Sequence, residues 1–151
     1  MIVHLFVNDR PYTWEVGPDE MLAHTLRNHG FTSVKTGCDM ASCGVCTVWV
    51  EGKPTLSCSV LSARMEGKHI TTIEGVAGEA EAFGRFLVGE GVDQCGYCSP
   101  GFVLLVLAMK RELHNPTREQ VKQYLNGNLC RCSGYQGKLR AIEKFMHIKD
   151  A

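Results

Sequence analysis

The sequence lacks a surplus of charge of either sign, because Lys and Arg together number 16 and Asp and Glu together also number 16 among 151 residues. A nucleic-acid-binding protein needs an excess of basic residues to contact phosphates, so this balance argues against a nucleic-acid partner. The same balance gives no reason to expect binding to an anionic membrane surface.

Long hydrophobic runs are also missing. The longest is Phe102–Met109, far short of the roughly 20 residues that a membrane-spanning helix needs, so we predict no membrane span. The segment Met1–Val7 has neither the basic region nor the small-residue cleavage site of a signal peptide. We therefore expect a cytoplasmic protein, in a compartment that keeps thiols reduced.

Cysteine, by contrast, is plentiful, with eight residues. In a reducing compartment so many cysteines indicate metal ligands rather than disulfides. They divide four and four around the stretch Gly75-Val76-Ala77-Gly78, which we interpret as a domain boundary. We therefore predict two domains, at residues 1–76 and 77–151.

The first part has the pattern of strands around one short helix. We predict strands at residues 2–7, 12–16, 46–50, 55–60 and 70–73. Between the second and third strands we predict a helix with Asp19 as its N-cap, Gly30 as its stop, and Leu22 and Leu26 on its inner face. This mixture predicts a small α+β domain.

Beyond the boundary the apolar residues take a helical period. We predict four helices, near residues 79–89, from Ser99-Pro100 onward, from Thr117 onward and around residues 139–146. Ser99 is the predicted N-cap of the second helix, whose apolar body Phe102–Met109 predicts a buried central position. Thr117 and Gln120 fit a capping box.

The first four cysteines follow one another as Cys38-x4-Cys43-x2-Cys46-x11-Cys58. This is the plant-type ferredoxin spacing for one 2Fe–2S cluster, in which a loop turns three thiolates inward and a separate strand supplies the fourth. An oxidised cluster with four thiolates carries about two net negative charges. We expect Gly37 and Gly44 to let backbone N–H groups approach its sulfurs.

The other four cysteines follow one another as Cys95-x2-Cys98-x31-Cys130-x-Cys132. Two tight pairs must therefore be brought together by tertiary structure. Cys98 directly precedes one predicted helix, and Cys132 precedes the segment that starts the last helix. Helix N-termini favour anions, so this arrangement suits a second cluster. Three neighbouring glycines have no side chain to crowd the cluster: Gly96, Gly127 and Gly134.

Four-cysteine zinc sites are the alternative for both sets. The first spacing fits a cluster loop better, and the one-residue gap between Cys130 and Cys132 is tighter than the usual zinc spacing. None of the six histidines lies within a cysteine pair, which disfavours a Rieske centre. We interpret these histidines as surface or structural residues.

Three strings carry a family resemblance: GCDMASCGVCTV (37–48), QCGYCSPG (94–101) and GNLCRCSGYQ (127–136). Together they closely resemble the iron–sulfur subunit of molybdenum hydroxylases, the xanthine dehydrogenase and aldehyde oxidoreductase family. The resemblance covers nearly the whole chain. It implies an N-terminal β-grasp 2Fe–2S ferredoxin-like domain followed by an all-α four-helix 2Fe–2S-binding domain.

The resemblance also implies partners and a direction. A large subunit carries a molybdopterin cofactor and hydroxylates the substrate, and an FAD-binding subunit often passes the electrons onward. The chain would perform no bond chemistry and would carry electrons from the molybdenum site through the helical-domain cluster, then the ferredoxin-type cluster, to FAD or another acceptor. By resemblance, Gln94 hydrogen-bonds the pterin and Cys132 lies against it. A dimer of heterotrimers is the expected assembly.

One departure from the family pattern concerns the first cluster. Many members have a glycine-rich stretch between the first two cysteines, whereas this chain has Asp39-Met40-Ala41-Ser42. The departure bears on how many N–H groups face the cluster. Nearby, we expect Tyr97 and Tyr135 to pack around the second cluster, while Arg131 either offsets cluster charge or faces solvent.

Family frequency makes xanthine or a related purine the first expectation for the substrate of the complex. Aldehydes, carbon monoxide, nicotinate and hydroxybenzoyl-CoA are alternatives. Two functions of different classes compete with the subunit hypothesis, a stand-alone ferredoxin and a zinc-stabilised interaction module. The helical domain counts against the first of these, because a ferredoxin-like domain alone would suffice.

Overall fold

A computed structural model describes residues 1–148, and the last three residues of the predicted second domain lie outside this range. Its N-terminal half is a five-stranded mixed sheet covered by one helix, α1 (Leu22–Asn28). The strands are β1 (Ile2–Val7), β2 (Arg10–Glu15), β3 (Thr47–Val50), β4 (Lys53–Leu56) and β5 (His69–Thr71). Their spatial order is β2-β1-β5-β3-β4, with β1 parallel to β5 and the other pairs antiparallel. This is the β-grasp arrangement that the family resemblance implies.

The core of this half forms where α1 packs on the sheet. Leu22 and Leu26 lie one turn apart on α1 and are both fully buried, as predicted. They pack against the inward side chains of β1 and against Ile70 of β5. The N-terminal hairpin is tighter than predicted, because Asn8 and Asp9 alone form its turn and both take positive φ. Pro11 is tolerated within β2 because β2 is an edge strand.

The prediction that Asp19 caps α1 is wrong. The helix begins at Leu22, and Met21 precedes it without a capping side chain. The backbone of Met21 pairs with Leu61, which holds this residue extended and delays the helix. Glu20 instead links the turn before the helix to the first turn of α1, since its carboxylate accepts hydrogen bonds from the Gly17 N–H and the Thr25 hydroxyl.

The C-terminal half consists of helices, as predicted. They are α2 (Ala77–Gly89), α3 (Ser99–Glu112), α4 (Arg118–Leu125) and α5 (Gln136–Met146). Helix α3 is the buried centre, with nearly all of Phe102–Met109 inaccessible to solvent. Thr117 and Gln120 form the predicted capping box at the start of α4. None of the helices among residues 1–148 is long and apolar enough to cross a membrane.

Ser99 is not the N-cap of α3, because it is already the first helical residue and Cys98 takes the cap position. A turn places it there, since the Ser99 N–H donates to the Gly96 carbonyl at 3.1 Å. The Ser99 hydroxyl points to Asp93 at 3.4 Å rather than to the helix backbone. The consequence is that Cys98 lies directly at the helix N-terminus.

Trp49 of β3 joins the two halves, because this residue of the sheet belongs to the core of the helical half. This side chain is 2% exposed and packs among residues of the helical half. Its indole N–H donates to the Leu104 carbonyl of α3 at 3.0 Å. The guanidinium of Arg111 covers the ring at 4.3 Å from its centroid. The sheet and the helices are therefore joined by a buried, hydrogen-bonded contact.

Candidate metal centres

The first four cysteines, which we call the first centre, lie on the loop between α1 and β3 and just beyond β4. They are Cys38, Cys43, Cys46 and Cys58. Pairing of Thr47 with Leu56 brings the start of β3 beside the end of β4. Ser57 secures this end, because its hydroxyl donates to the Cys46 carbonyl at 2.6 Å. The hairpin thereby brings Cys46 and Cys58 to the same end of the sheet.

Backbone N–H groups face the Cys38 sulfur even though the loop between Cys38 and Cys43 has no glycine. The N–H of Cys43 lies 3.4 Å from this sulfur, and it acts together with the N–H groups of Met40 and Ser42 to lower the pKa of Cys38 to about 6. Ala41 takes the left-handed backbone conformation, with φ of 53°, that a glycine would adopt more easily. The departure from the family pattern therefore leaves N–H donors around this ligand.

The other thiols of the first centre crowd one another. Burial raises the pKa of Cys58 to about 12, and the neighbouring Cys46 thiol adds to this effect. Burial also raises the pKa of Cys43, and the N–H groups of Val45 and Gly37 oppose this increase. Thiols packed this closely lose their protons readily only when a positive centre among them stabilises the thiolates, and bound iron ions would supply that charge.

The second centre comprises Cys95, Cys98, Cys130 and Cys132. The sulfur atoms of Cys95 and Cys132 lie 3.5 Å apart and are both exposed. Cys98 is buried at the N-terminus of α3, and the Cys130 thiol acts on its pKa through a sulfur–sulfur contact. The spatial pairs thus differ from the sequence pairs. Cys95 and Cys132 form an exposed pair of sulfurs, and Cys98 and Cys130 form an inner pair.

Polar groups from the start of α5 surround the inner pair. Although burial opposes it, the hydroxyl and N–H of Ser133 bring the pKa of Cys130 down to about 6. Burial raises the pKa of Cys98, and the ammonium group of Lys138, 3.1 Å from the sulfur, opposes this. Sequence reasoning missed Ser133 and Lys138. The signal for Lys138 was a basic residue in the first turn of a helix, where a cation is unfavourable.

The two centres meet at a backbone contact. The N–H of Leu129, next to Cys130, donates to the Cys43 carbonyl at 2.8 Å. Residues of both centres line one open cavity of about 660 Å³. This hydrogen bond therefore connects the ligand-bearing segments of the two centres directly, and the Asn128 side-chain amide adds a second contact by donating to the Gly44 carbonyl at 3.4 Å.

Glycine makes this approach possible. A Cβ added to Gly44 would lie 1.7 Å from the carbonyl oxygen of Gly127, and one added to Gly101 would lie 2.8 Å from that of Val45. We predicted that Gly44 brings N–H groups to a cluster, and the structure shows that it lets the two halves touch. Gly127 supplies the carbonyl group in this contact, in addition to being a small residue near Cys130.

The remaining predicted site residues lie around the second centre. Gln94 and Cys132 are both exposed, so a partner can reach them. Tyr97 donates its hydroxyl to the Thr36 carbonyl at 2.7 Å. Tyr135 does more than pack, because its hydroxyl oxygen accepts the Cys130 N–H at 2.7 Å. Arg131 is exposed, which is the solvent-facing one of its two predicted positions.

The cysteine geometry of the second centre fits a cluster of two irons. Among residues 1–148 no three His, Cys, Asp or Glu side chains converge closely enough to hold one metal ion. A 2Fe–2S cluster instead takes two ligands on each iron, with inorganic sulfide between the irons. The second centre offers two pairs of sulfurs of this kind, and each of the eight cysteines has a free thiol.

Comparison with known proteins identifies the family. Residues 5–72 match the model of the 2Fe-2S iron-sulfur cluster binding domain, and residues 72–143 match that of a second 2Fe-2S binding domain. The chain is 40% identical over 134 residues to the xanthine dehydrogenase iron-sulfur-binding subunit of Escherichia coli O157:H7, covering 86% of this chain and 84% of that subunit. This chain belongs to the iron–sulfur small subunits of the molybdenum hydroxylases. It is a non-catalytic electron-transfer subunit with two 2Fe–2S clusters.

Other members of the family agree in length and fold. This small subunit is 37% identical over 136 residues to the nicotinate dehydrogenase small FeS subunit of Eubacterium barkeri, covering 88% of this chain and 87% of that one. A solved structure of quinoline 2-oxidoreductase from Pseudomonas putida 86 matches with a TM-score of 0.87 and 34% identity, covering 94% of this chain and 90% of that chain. The predicted ferredoxin-like domain and four-helix domain are thus confirmed.

Proposed function

We propose that this small subunit serves a molybdenum hydroxylase that acts on a nitrogen heterocycle, with xanthine or a related purine as the first candidate. The relatives named for xanthine, nicotinate and quinoline support this class, since all three compounds are nitrogen heterocycles. Nicotinate is therefore the second candidate. Aldehydes, carbon monoxide and hydroxybenzoyl-CoA, which are substrates of further oxidoreductases in the family, follow after it.

The proposed ligands are the four cysteines of each centre. Each cluster, when bound, takes up and releases one electron at a time. The residues around it hold it by thiolate ligation, direct N–H groups at its anionic sulfurs and keep solvent from its inner side. In the first centre, the N–H groups around Cys38 support this role. In the second centre, burial of Cys98 at a helix N-terminus supports it.

One observation carries the relay proposal, the 2.8 Å hydrogen bond from the Leu129 N–H to the Cys43 carbonyl. It connects a ligand of the first centre to the residue before a ligand of the second. A protein that transfers electrons between two groups needs them close and rigidly spaced. A stand-alone ferredoxin needs only the first centre and has no second centre to contact.

We propose that electrons enter at the second centre and leave at the first. The exposed pair of Gln94 and Cys132 supports an entry side on which the molybdopterin of a large subunit is seated. At the other end, Met40 in the loop of the first centre is 79% exposed. That apolar, exposed side chain supports contact of this loop with an FAD-binding subunit or another acceptor.

The proposal extends to domain division, assembly and location. We place the boundary between residues 76 and 77, supported by the start of α2 at Ala77. We propose a dimer of heterotrimers as the assembly. A cytoplasmic location is supported by the proposed use of all eight cysteines as metal ligands, because a reducing compartment keeps such cysteines from forming disulfides.

Purification with neighbouring gene products and spectroscopy test the function together. We expect the chain to co-purify with a molybdopterin-containing subunit, to contain four irons per chain and to give two reduced-cluster EPR signals. Appearance of both signals when xanthine is added, and not when nicotinate or an aldehyde is added, would support the purine substrate. A colourless, zinc-containing protein, or a holoprotein that purifies fully soluble without a molybdenum partner, would contradict the proposal.

A further inference from the structure

Lys138 is a buried cation that the proposed function does not yet use. The residue is 3% exposed. Its Nζ lies 3.1 Å from the Cys98 sulfur and 4.0 Å from the centroid of the Phe102 ring. Among residues 1–148 it has no carboxylate within 4.0 Å, and the acidic Glu90 near α5 pairs instead with Arg140 and Lys144. A buried charge without a counter-ion is costly, so the site calls for an anion.

The position of Lys138 in α5 is a second, independent reason to expect an anion beside it. It is the third residue of α5, where the helix dipole is positive and disfavours a cation. Gly137 lets α5 approach closely, because a Cβ there would lie 1.9 Å from the Val92 Cγ1. This approach delivers Lys138 to the cavity that also contains Cys95, Cys98, Cys130 and Cys132. The ammonium group of Lys138 and the positive end of the α5 dipole therefore both lie at this one small cavity.

We infer that Lys138 is the charge partner of the second cluster and stabilises its reduced form. The inference rests on the proposed ligand set, in which Cys98 binds iron. When the cluster gains one electron, its net charge becomes one unit more negative. A fixed cation at hydrogen-bond distance from a ligand sulfur, shielded from water, stabilises that added charge and raises the reduction potential.

Lys138 distinguishes the two centres from each other. Around the first centre, the donors that face Cys38 are uncharged N–H groups. Arg131 lies in sequence between two ligands of the second centre, but its exposure to solvent screens its charge. A buried ammonium group acts on the second centre alone, so it sets the difference in potential between the two steps of the relay.

The test is an EPR-monitored redox titration of the holo complex that carries Lys138→Met, which keeps the length and packing of the side chain. We expect the equilibrium constant for reduction of one cluster to fall at least tenfold, which is 59 mV for a one-electron couple. We expect the other cluster to change by less than twofold. Lys138→Arg keeps the charge and should restore most of the potential.

Lys122→Met is the matched control, because it removes the same charge from the helical half at an exposed position of α4 paired with Glu119. It should leave both potentials unchanged. An unshifted potential in Lys138→Met with both signals intact, or an equal shift in the control, would overturn the inference. Fewer than two reduced-cluster signals in the wild-type complex would instead overturn the proposed ligand set.

A second measurement uses the wild-type complex, in case the Lys138→Met variant loses its cluster. Lysine labelled with ¹⁵N at Nζ is incorporated, and pulsed EPR is recorded on both reduced clusters. We expect a ¹⁵N coupling in one of the two signals and none in the other. Absence of the coupling from both signals would contradict a lysine ammonium group at the ligand sulfur.

Discussion

Gln94 shows what single residues contribute at the entry side of the relay. It is exposed and directly precedes Cys95, whose sulfur lies 3.5 Å from that of Cys132. We predict that Gln94→Ala retains both EPR signals and slows reduction of the clusters by substrate about tenfold, which corresponds to the loss of one hydrogen bond of about 1.4 kcal/mol. Stopped-flow reduction measures this rate.

The control for Gln94 is Gln123→Ala, since Gln123 is likewise exposed but lies on α4. Its rate of reduction should match that of the wild type. Equal rates in Gln94→Ala and the control would contradict a contact between Gln94 and the pterin.

Trp49 is the residue that connects the sheet to α3. Trp49→Phe keeps a buried aromatic ring but loses the indole donor to the Leu104 carbonyl. We predict that it lowers the free energy of unfolding by about 1–2 kcal/mol, from one lost hydrogen bond and reduced packing. Denaturant titration of the holoprotein, followed by circular dichroism, measures this difference.

Trp14→Phe provides the comparison for Trp49. Trp14 is also buried, but it stacks on His29 at 4.2 Å within the first domain. Both substitutions remove similar area, but only Trp49→Phe loses a hydrogen bond to α3, so Trp14→Phe should lower the free energy of unfolding by less. If the two variants lower the free energy of unfolding equally, the hydrogen bond from Trp49 to Leu104 contributes nothing.

At the scale of elements, the absence of a side chain at Gly44 decides how closely the cluster loop approaches the Gly127 carbonyl of the helical domain. Gly44 has φ of 70°, and a side chain there would overlap the Gly127 carbonyl. We predict that Gly44→Ala lowers the free energy of unfolding by about 3 kcal/mol or more, through backbone strain and overlap combined. Thermal denaturation and the rate of cluster loss measure the effect.

Gly52 is the matched glycine for this comparison. Its φ is 76°, yet nothing lies within 4 Å of an added Cβ. Gly52→Ala should therefore cost only the strain of about 1–2 kcal/mol. A similar loss of stability in both variants would show that the contact with Gly127 contributes nothing.

The elements also show what sequence can predict. Helix α3 and the capping box at Thr117 were predictable because apolar period and capping chemistry are local signals. The caps assigned to Asp19 and Ser99 were wrong because long-range pairing and a preceding turn set those helix starts. Local patterns do not contain such tertiary constraints.

The candidate site divides in the same way. The spacing of the cysteines predicted two groups of four, and the structure brings the members of each group together. It did not predict that Gly44 touches Gly127 or that Lys138 lies buried beside Cys98, since these contacts join segments 83 and 40 residues apart in the chain. Only the packing of the two halves on each other creates them.

At the scale of the whole molecule, the two domains should behave as one unit. Trp49, the Leu129–Cys43 hydrogen bond and the glycine contact all cross between them. We predict a single thermal transition in which the visible absorbance of both clusters and the far-ultraviolet circular dichroism are lost together. Two separate transitions in the wild type would contradict this coupling.

The glycine contact has a consequence for how such proteins recombine. A side chain at position 44 would overlap the backbone carbonyl of Gly127. A smaller side chain on the helical domain therefore cannot relieve that overlap. A chimera that combines this helical domain with the ferredoxin-like domain of a distant relative will assemble only if that domain has glycine at the position of Gly44. The two domains have separate sequence patterns, yet the backbone of the second restricts which residue can stand at position 44 of the first.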